Sequence, residues 1–144
     1  MNAAYFLIPR NEVGFLYEDF TVRQGLEKLK RSGFTALPVV TRKNQYLGTV
    51  SEGDFLWYLI QDPEKSSVVP QPIQDFENVA VRDILVADRN PPLRITASVS
   101  ELVLSAMNQN FVPIVDDLGS FIGIVTRKDI IRHFYRSENE KEIG

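Results

Sequence analysis

The feature that most limits how this chain can fold is that it writes nearly the same segment twice. Setting Pro38 on Pro113, an offset of 75, aligns Gly48 with Gly123, Val50 with Val125, Ser51 with Thr126 and Asp54 with Asp129 without a gap. Tyr46-Leu47 then falls on Phe121-Ile122, and Val39-Val40 on Ile114-Val115. Upstream the offset becomes 77, with Thr21-Val22 on Ser98-Val99 and Leu16 on Leu93, which places a two-residue deletion near Asn110. Repetition on this scale means one supersecondary unit used twice.

Both copies predict the order α-β-β-α. Val22, Leu26 and Leu29 have helical spacing, as do Val99, Leu102, Val103 and Ala106, and both runs open on a hydroxyl suited to capping, Thr21 or Ser98. Residues 36–40 and 46–50 read as strands around a polar turn, and 112–115 and 121–125 repeat them. The basic turn Arg42-Lys43 reads as a solvated hairpin tip. A second helix follows each hydroxyl and carries Phe55 and Leu59, or Ile130 and Phe134. A short extended segment around Phe15-Leu16 or Leu93-Arg94 precedes each unit, and 61–78, rich in Pro, Ser and charge, reads as linker. A single copy of about 55–60 residues has a marginal core. The expected fold is therefore α/β (α+β), with tandem repeats packed as a pseudo-twofold pair through their sheets.

Composition removes several functions. The net charge of −3 argues against bulk nucleic-acid binding. The absence of cysteine excludes disulfides, thiolate metal sites and Cys nucleophiles. His133 is the lone histidine, which excludes a multi-His metal site and speaks against a Ser-His-Asp triad. Residues 3–8 are too short for a signal peptide, and no apolar run approaches the roughly 20 residues that span a bilayer. A cytoplasmic protein without membrane or nucleic-acid partners is expected, with no metal and no catalytic residues.

Two readings fit Ser51-x-x-Asp54 and Thr126-x-x-Asp129. As capping boxes, their side chains satisfy the orphan N–H groups of a helix start. As ligand groups, each aspartate accepts two hydrogen bonds from a vicinal diol such as a ribose, and the helix N-terminus favours a neighbouring phosphate. The intervening residues differ: Arg127 and Lys128 suit an anion, whereas Glu52 and Gly53 do not. Arg132 and His133 share the helical face of Asp129, where repeat 1 has Trp57 and Tyr58; these aromatics suit a dimer interface.

Gly-apolar-x-Thr/Ser-x-x-Asp after an apolar-Pro-apolar strand, present twice in order, resembles the CBS domain and hence a CBS pair, or Bateman module, over residues 4 to 137. FLIPRNEVGFL, SGFTALPVV and GIVTRKD are similar to small stand-alone CBS proteins of low-GC Gram-positive bacteria, some of which bind cyclic di-AMP. The resemblance implies repeat 1 at 4–60, a linker at 61–78, repeat 2 at 79–137 and a polar tail at 138–144. It implies a non-catalytic sensor of an adenine nucleotide (AMP, ADP, ATP or cyclic di-AMP), a flat homodimer and a separate effector protein. A ligand-free dimerisation scaffold is the alternative. The main cleft would join Gly14, Leu16, Phe34, Thr35 and Ala36 to Thr126, Arg127, Lys128, Asp129 and His133. A weaker second cleft would join Leu93, Phe111 and Val112 to Ser51 and Asp54.

Overall fold

A computed structural model describes residues 1–62, 67–68 and 77–143. Residues 63–66 and 69–76 of the expected linker, and Gly144 of the tail, lie outside the described residues. The chain divides into two compact units, one of Gly14–Arg89 and the other of Met1–Val13 with Asn90–Gly144. The opening residues therefore pack with repeat 2, although in sequence they lead into repeat 1.

In the Gly14–Arg89 unit, β2 (Leu16–Tyr17) runs parallel to β3 (Ala36–Val40), which pairs antiparallel with β4 (Tyr46–Ser51). Helix α2 (Val22–Ser32) joins β2 to β3, and α3 (Glu52–Ile60) follows β4. A short pair, β5 (Gln61–Asp62) with β6 (Ser67–Val68), follows, and then one turn of helix, α4 (Val81–Ile84). Thr21 caps α2 in a reciprocal box with Gln24, and Gly33 ends it in the left-handed conformation at φ 74°. The apolar spacing of α2 is realised: Val22 and Leu29 are buried in one cluster with Leu16, Leu37, Val39, Val50, Phe55 and Val81.

The second unit repeats this plan. Strand β7 (Leu93–Arg94) runs parallel to β8 (Phe111–Val115), which pairs antiparallel with β9 (Phe121–Thr126). Helix α5 (Val99–Ala106) carries a Ser98–Glu101 capping box. Helix α6 (Arg127–Ile143) runs through most of the stretch expected to be a tail. The hairpins match in register down to a bulge, between Val39 and Val40 in one and Ile114 and Val115 in the other. The core holds Leu102, Ala106, Val112, Ile114, Val125 and Ile130. Phe134 is exposed, whereas its counterpart Leu59 packs against the repeat 1 core.

The segment that leads into each repeat completes the other repeat's unit. Near the N-terminus, α1 (Ala3–Phe6) buries Ala3 and Phe6 in the repeat 2 core, and β1 (Ile8–Pro9) pairs antiparallel with β9. The Ala3 amide donates to the Ala97 carbonyl at 2.9 Å. Likewise the Val81 amide donates to the Phe20 carbonyl at 2.8 Å, and Val81 is buried against repeat 1. Among the described residues, no helix is long and apolar enough to cross a membrane.

These crossings explain the glycine of the repeated motif. Gly123, at φ 154°, lies against the Ile8 carbonyl oxygen, and a β-carbon there would also stand 2.8 Å from Leu7 Cδ1. In the Gly14–Arg89 unit, a β-carbon on Gly48 would meet Leu85 Cδ1 at 3.2 Å. The first obstacle is backbone, whereas the second is the end of a flexible side chain. Gly123→Ala is expected to destabilise by about 3 kcal/mol or more, because strain and overpacking combine. Gly48→Ala should cost about 1 kcal/mol. Urea unfolding of both variants checks the ranking, and equal midpoints would contradict it.

Candidate functional site

The two hydroxyl-x-x-Asp motifs stand where expected, each at the junction of a β-strand with the helix that follows. In both units the first amide of that helix is tied back to the loop before the hairpin: Glu52 N–H donates to the Thr35 carbonyl and Arg127 N–H to the Asn110 carbonyl, both at 2.9 Å. Phe34-Thr35 is thereby held beside the start of α3. An open cleft of about 340 Å³ lies there, lined by Leu26, Leu29, Lys30, Gly33, Phe34 and Glu52. A second cleft of about 410 Å³ is lined by Gly14, Gln24, Glu27, Lys28, Arg31 and Ser32. The two clefts take in Gly14 and Phe34 of the expected site residues, and neither is lined by Asp54.

The repeated motif has diverged in its hydrogen bonding. In repeat 1 the box is closed in both directions: Asp54 Oδ2 accepts from the Ser51 amide at 2.8 Å and hydroxyl at 3.1 Å, and the Asp54 amide donates to Ser51 Oγ at 3.3 Å. In repeat 2 the Asp129 amide donates to Thr126 Oγ1 at 3.1 Å. The Asp129 carboxylate has Arg132 Nη1 at 4.0 Å, and among the described residues it accepts no hydrogen bond. The side chain of Asp54 is 9% exposed and that of Asp129 is 35% exposed.

A residue that spacing did not reveal accounts for much of this difference. Arg89 straddles the Asp54 carboxylate, Nη1 donating to Oδ1 at 2.8 Å and Nη2 to Oδ2, while Nη2 also reaches the Thr49 carbonyl at 3.4 Å. Arg89 is 35 positions beyond Asp54, just after Asp88, which turns the chain at φ 62°. The offset across this segment runs from 78 at Leu7 and Leu85 to 77 at Leu16 and Leu93, which sets Arg89 opposite Asn11 or Glu12, neither of them basic, so repetition gave no signal for it.

Several expected ligand residues have other work. Arg127 Nε donates to the Ala106 carbonyl at 2.7 Å, closing the C-terminal end of α5. Repeat 1 ends α2 with Gly33 and with Ser32 Oγ donating to the Leu29 carbonyl, and its counterpart Glu52 carries no donor. His133 meets the rings of Phe6 and Tyr5 edge-on, at 5.3 and 5.6 Å between centroids, in an aromatic cluster over α1. Leu16, Phe111 and Val112 are buried, and Leu93 packs against the repeat 2 core, so these positions offer backbone more than side chain. Phe34 is 47% exposed, Ala36 is half-buried, and Thr35 and Lys128 face solvent. Arg42, expected to be a solvated tip, pairs with both oxygens of Asp19 at 2.9 Å and stacks on Tyr17.

Burial pushes the Asp54 carboxyl up, but Arg89, the Ser51 amide and the Ser51 hydroxyl outweigh it and hold the group below its ordinary value. A carboxyl whose pKa is lower folded than unfolded adds stability above the unfolded value, and that contribution fades as pH falls through the folded value. Arg89→Gln should therefore raise the Asp54 pKa, read from its carboxyl carbon by NMR. The stability gap between wild type and variant should be widest near neutral pH and should narrow in acid. A gap that grows on acidification would contradict this assignment.

Comparison with known proteins agrees with the architecture. The chain is 28% identical over 117 residues to the A-adding tRNA nucleotidyltransferase of Aquifex aeolicus, covering 81% of this chain but only 12% of that enzyme's length. Among solved structures, Listeria monocytogenes CbpB in complex with c-di-AMP is 20% identical at a TM-score of 0.80, with 95% of this chain and 97% of that one covered. CBSX2 in complex with AMP is 23% identical at a TM-score of 0.75, covering 95% and 98%. These two likenesses establish the fold. Residues 7–61 and 81–136 each match the CBS domain, so the chain belongs to the CBS domain family and carries two copies in tandem.

Proposed function

We propose that this protein is a non-catalytic regulator that binds an adenine nucleotide (AMP, ADP, ATP or cyclic di-AMP) and relays its presence to a separate partner protein. The observation that carries the proposal is the Asp129 carboxylate, set one turn into α6, partly exposed and accepting no hydrogen bond among the described residues. A ribose diol presents two O–H donors, and an ionised carboxylate presents two oxygens to receive them. Thr126 stands beside Asp129, and the α6 N-terminus with Lys128 and the terminal nitrogens of Arg127 favours a phosphate. The backbone around Gly14, Leu16 and Phe34-Thr35-Ala36 would read the adenine, as the family likeness implies. His133 would act by packing against the edge of the site rather than by charge.

The complexes of two solved relatives with c-di-AMP and AMP support this ligand class. A second site, of Asp54 and Ser51 with Leu93, Phe111 and Val112, would be weaker or empty. Exposed apolar side chains support a homodimer: Leu56 and Trp57 on α3, Leu104 on α5, and Ile131 and Tyr135 on α6. Signalling requires that the ligand bind one arrangement of the protein more tightly than another.

Titration calorimetry with the four nucleotides tests the proposal. Asp129→Ala should weaken binding about a hundredfold, since two hydrogen bonds to a charged group contribute roughly 1.5 kcal/mol each or more. Unchanged affinity would refute the placement of the ribose. Silence toward all four would favour a ligand-free scaffold. Trp57→Glu should halve the mass seen by light scattering, and an unchanged mass would remove α3 from the dimer contact.

A further inference from the structure

The Asp54 carboxylate lacks the two acceptor sites that a vicinal diol needs: Oδ2 already accepts three hydrogen bonds, and Oδ1 accepts one from Arg89 and keeps a single site. An ionised carboxylate offers about four lone-pair sites. Four donors are aimed at Asp54: the Ser51 amide and hydroxyl, Arg89 Nη1 and Arg89 Nη2. The guanidinium covers both oxygens, the two atoms that a vicinal diol must reach. Its bonds are charge-assisted and bidentate, and so stronger than those of neutral hydroxyls. The pair is also well sheltered on the aspartate side, where little water competes.

Among the described residues, no arginine donates a hydrogen bond to the Asp129 carboxylate. Leu7 and Leu85 occupy the same place in the two units, each with Cδ1 against the motif glycine, Gly123 or Gly48. Counting onward from them, Arg89 corresponds to Asn11, which carries no charge. The leading segments thus differ at the position that, in the Gly14–Arg89 unit, bears on the aspartate.

We infer that Arg89 is the residue that sets ligand stoichiometry: it closes the repeat 1 motif to a ribose and leaves one nucleotide per chain, at Asp129. The inference rests on the nucleotide-binding reading above and names what makes the two motifs unequal. Removing the guanidinium leaves both acceptor sites of Asp54 Oδ1 open, and Ser51 still orients the carboxylate through Oδ2. A second diol-bearing ligand can then bind.

Calorimetry with AMP on four full-length proteins tests this: wild type, Arg89→Ala, Arg89→Ala with Asp54→Asn, and Asp129→Ala. Arg89→Gln, which keeps the size and loses the charge, serves in parallel, and thermal melts establish that each variant is folded. The expected result is one AMP per wild-type chain, two for Arg89→Ala, and one again when Asp54→Asn is added. A folded Arg89→Ala protein that still binds one AMP would overturn the inference while leaving the single-site reading intact. So would a wild type that binds two. Conversely, if Arg89→Ala gains an Asp54-dependent equivalent but Asp129→Ala changes nothing, Arg89 keeps its role and the ribose placement at Asp129 fails.

Discussion

The contact on which the rest of this structure depends is a leading segment packed against a glycine in the second strand of a hairpin. At Gly123 the Ile8 carbonyl occupies the space where any other residue would carry its β-carbon. At Gly48 the side chain of Leu85 does the same more loosely. Because the segments sit this close, Ala3 and Phe6 reach one core and Val81 the other. Each hairpin thus gains apolar cover that its own repeat does not supply, which matters for units too small to bury an adequate core alone.

The same crossing makes the two motifs unequal. A segment that must pass the glycine also sets the residues just beyond it, and four residues past Leu7 and Leu85 the chain carries Asn11 in one case and Arg89 in the other. The hydroxyl-x-x-Asp device then divides into two forms. Beside Arg89 it is a closed cap, with the carboxylate ionised by its partners against the cost of burial. In repeat 2 it is half a cap, with the amide bond made and the carboxylate left to solvent and Arg132. Capping and ligand binding compete for the same oxygens, so the more completely Asp54 caps α3, the less it has to offer a ribose.

Much of this was legible in the sequence because it follows from periodicity and local chemistry. The offsets of 75 and 77 located two copies of one hairpin, and Thr21 and Ser98 marked the helix starts that the capping boxes confirm. Other side chains have a second outlet for the same chemistry that spacing did not reveal. The Arg127 fork suits a phosphate, yet its Nε serves the C-terminal end of α5, which lacks the left-handed glycine that ends α2. His133 shares the Asp129 face by spacing, yet the rings of Tyr5 and Phe6, distant in sequence, take up its edge.

The sequence by itself determined the repeat, the order of strands and helices, and the two candidate aspartates, since each rests on residues within a few positions of one another. Only the tertiary structure decided that residues 1–13 complete repeat 2, that Gly123 faces a carbonyl, and that Arg89 covers Asp54. Those contacts join residues tens of positions apart through chain crossings. Hydrogen-bond and charge partners of that kind are set by where the backbone passes, and no local spacing rule contains that information.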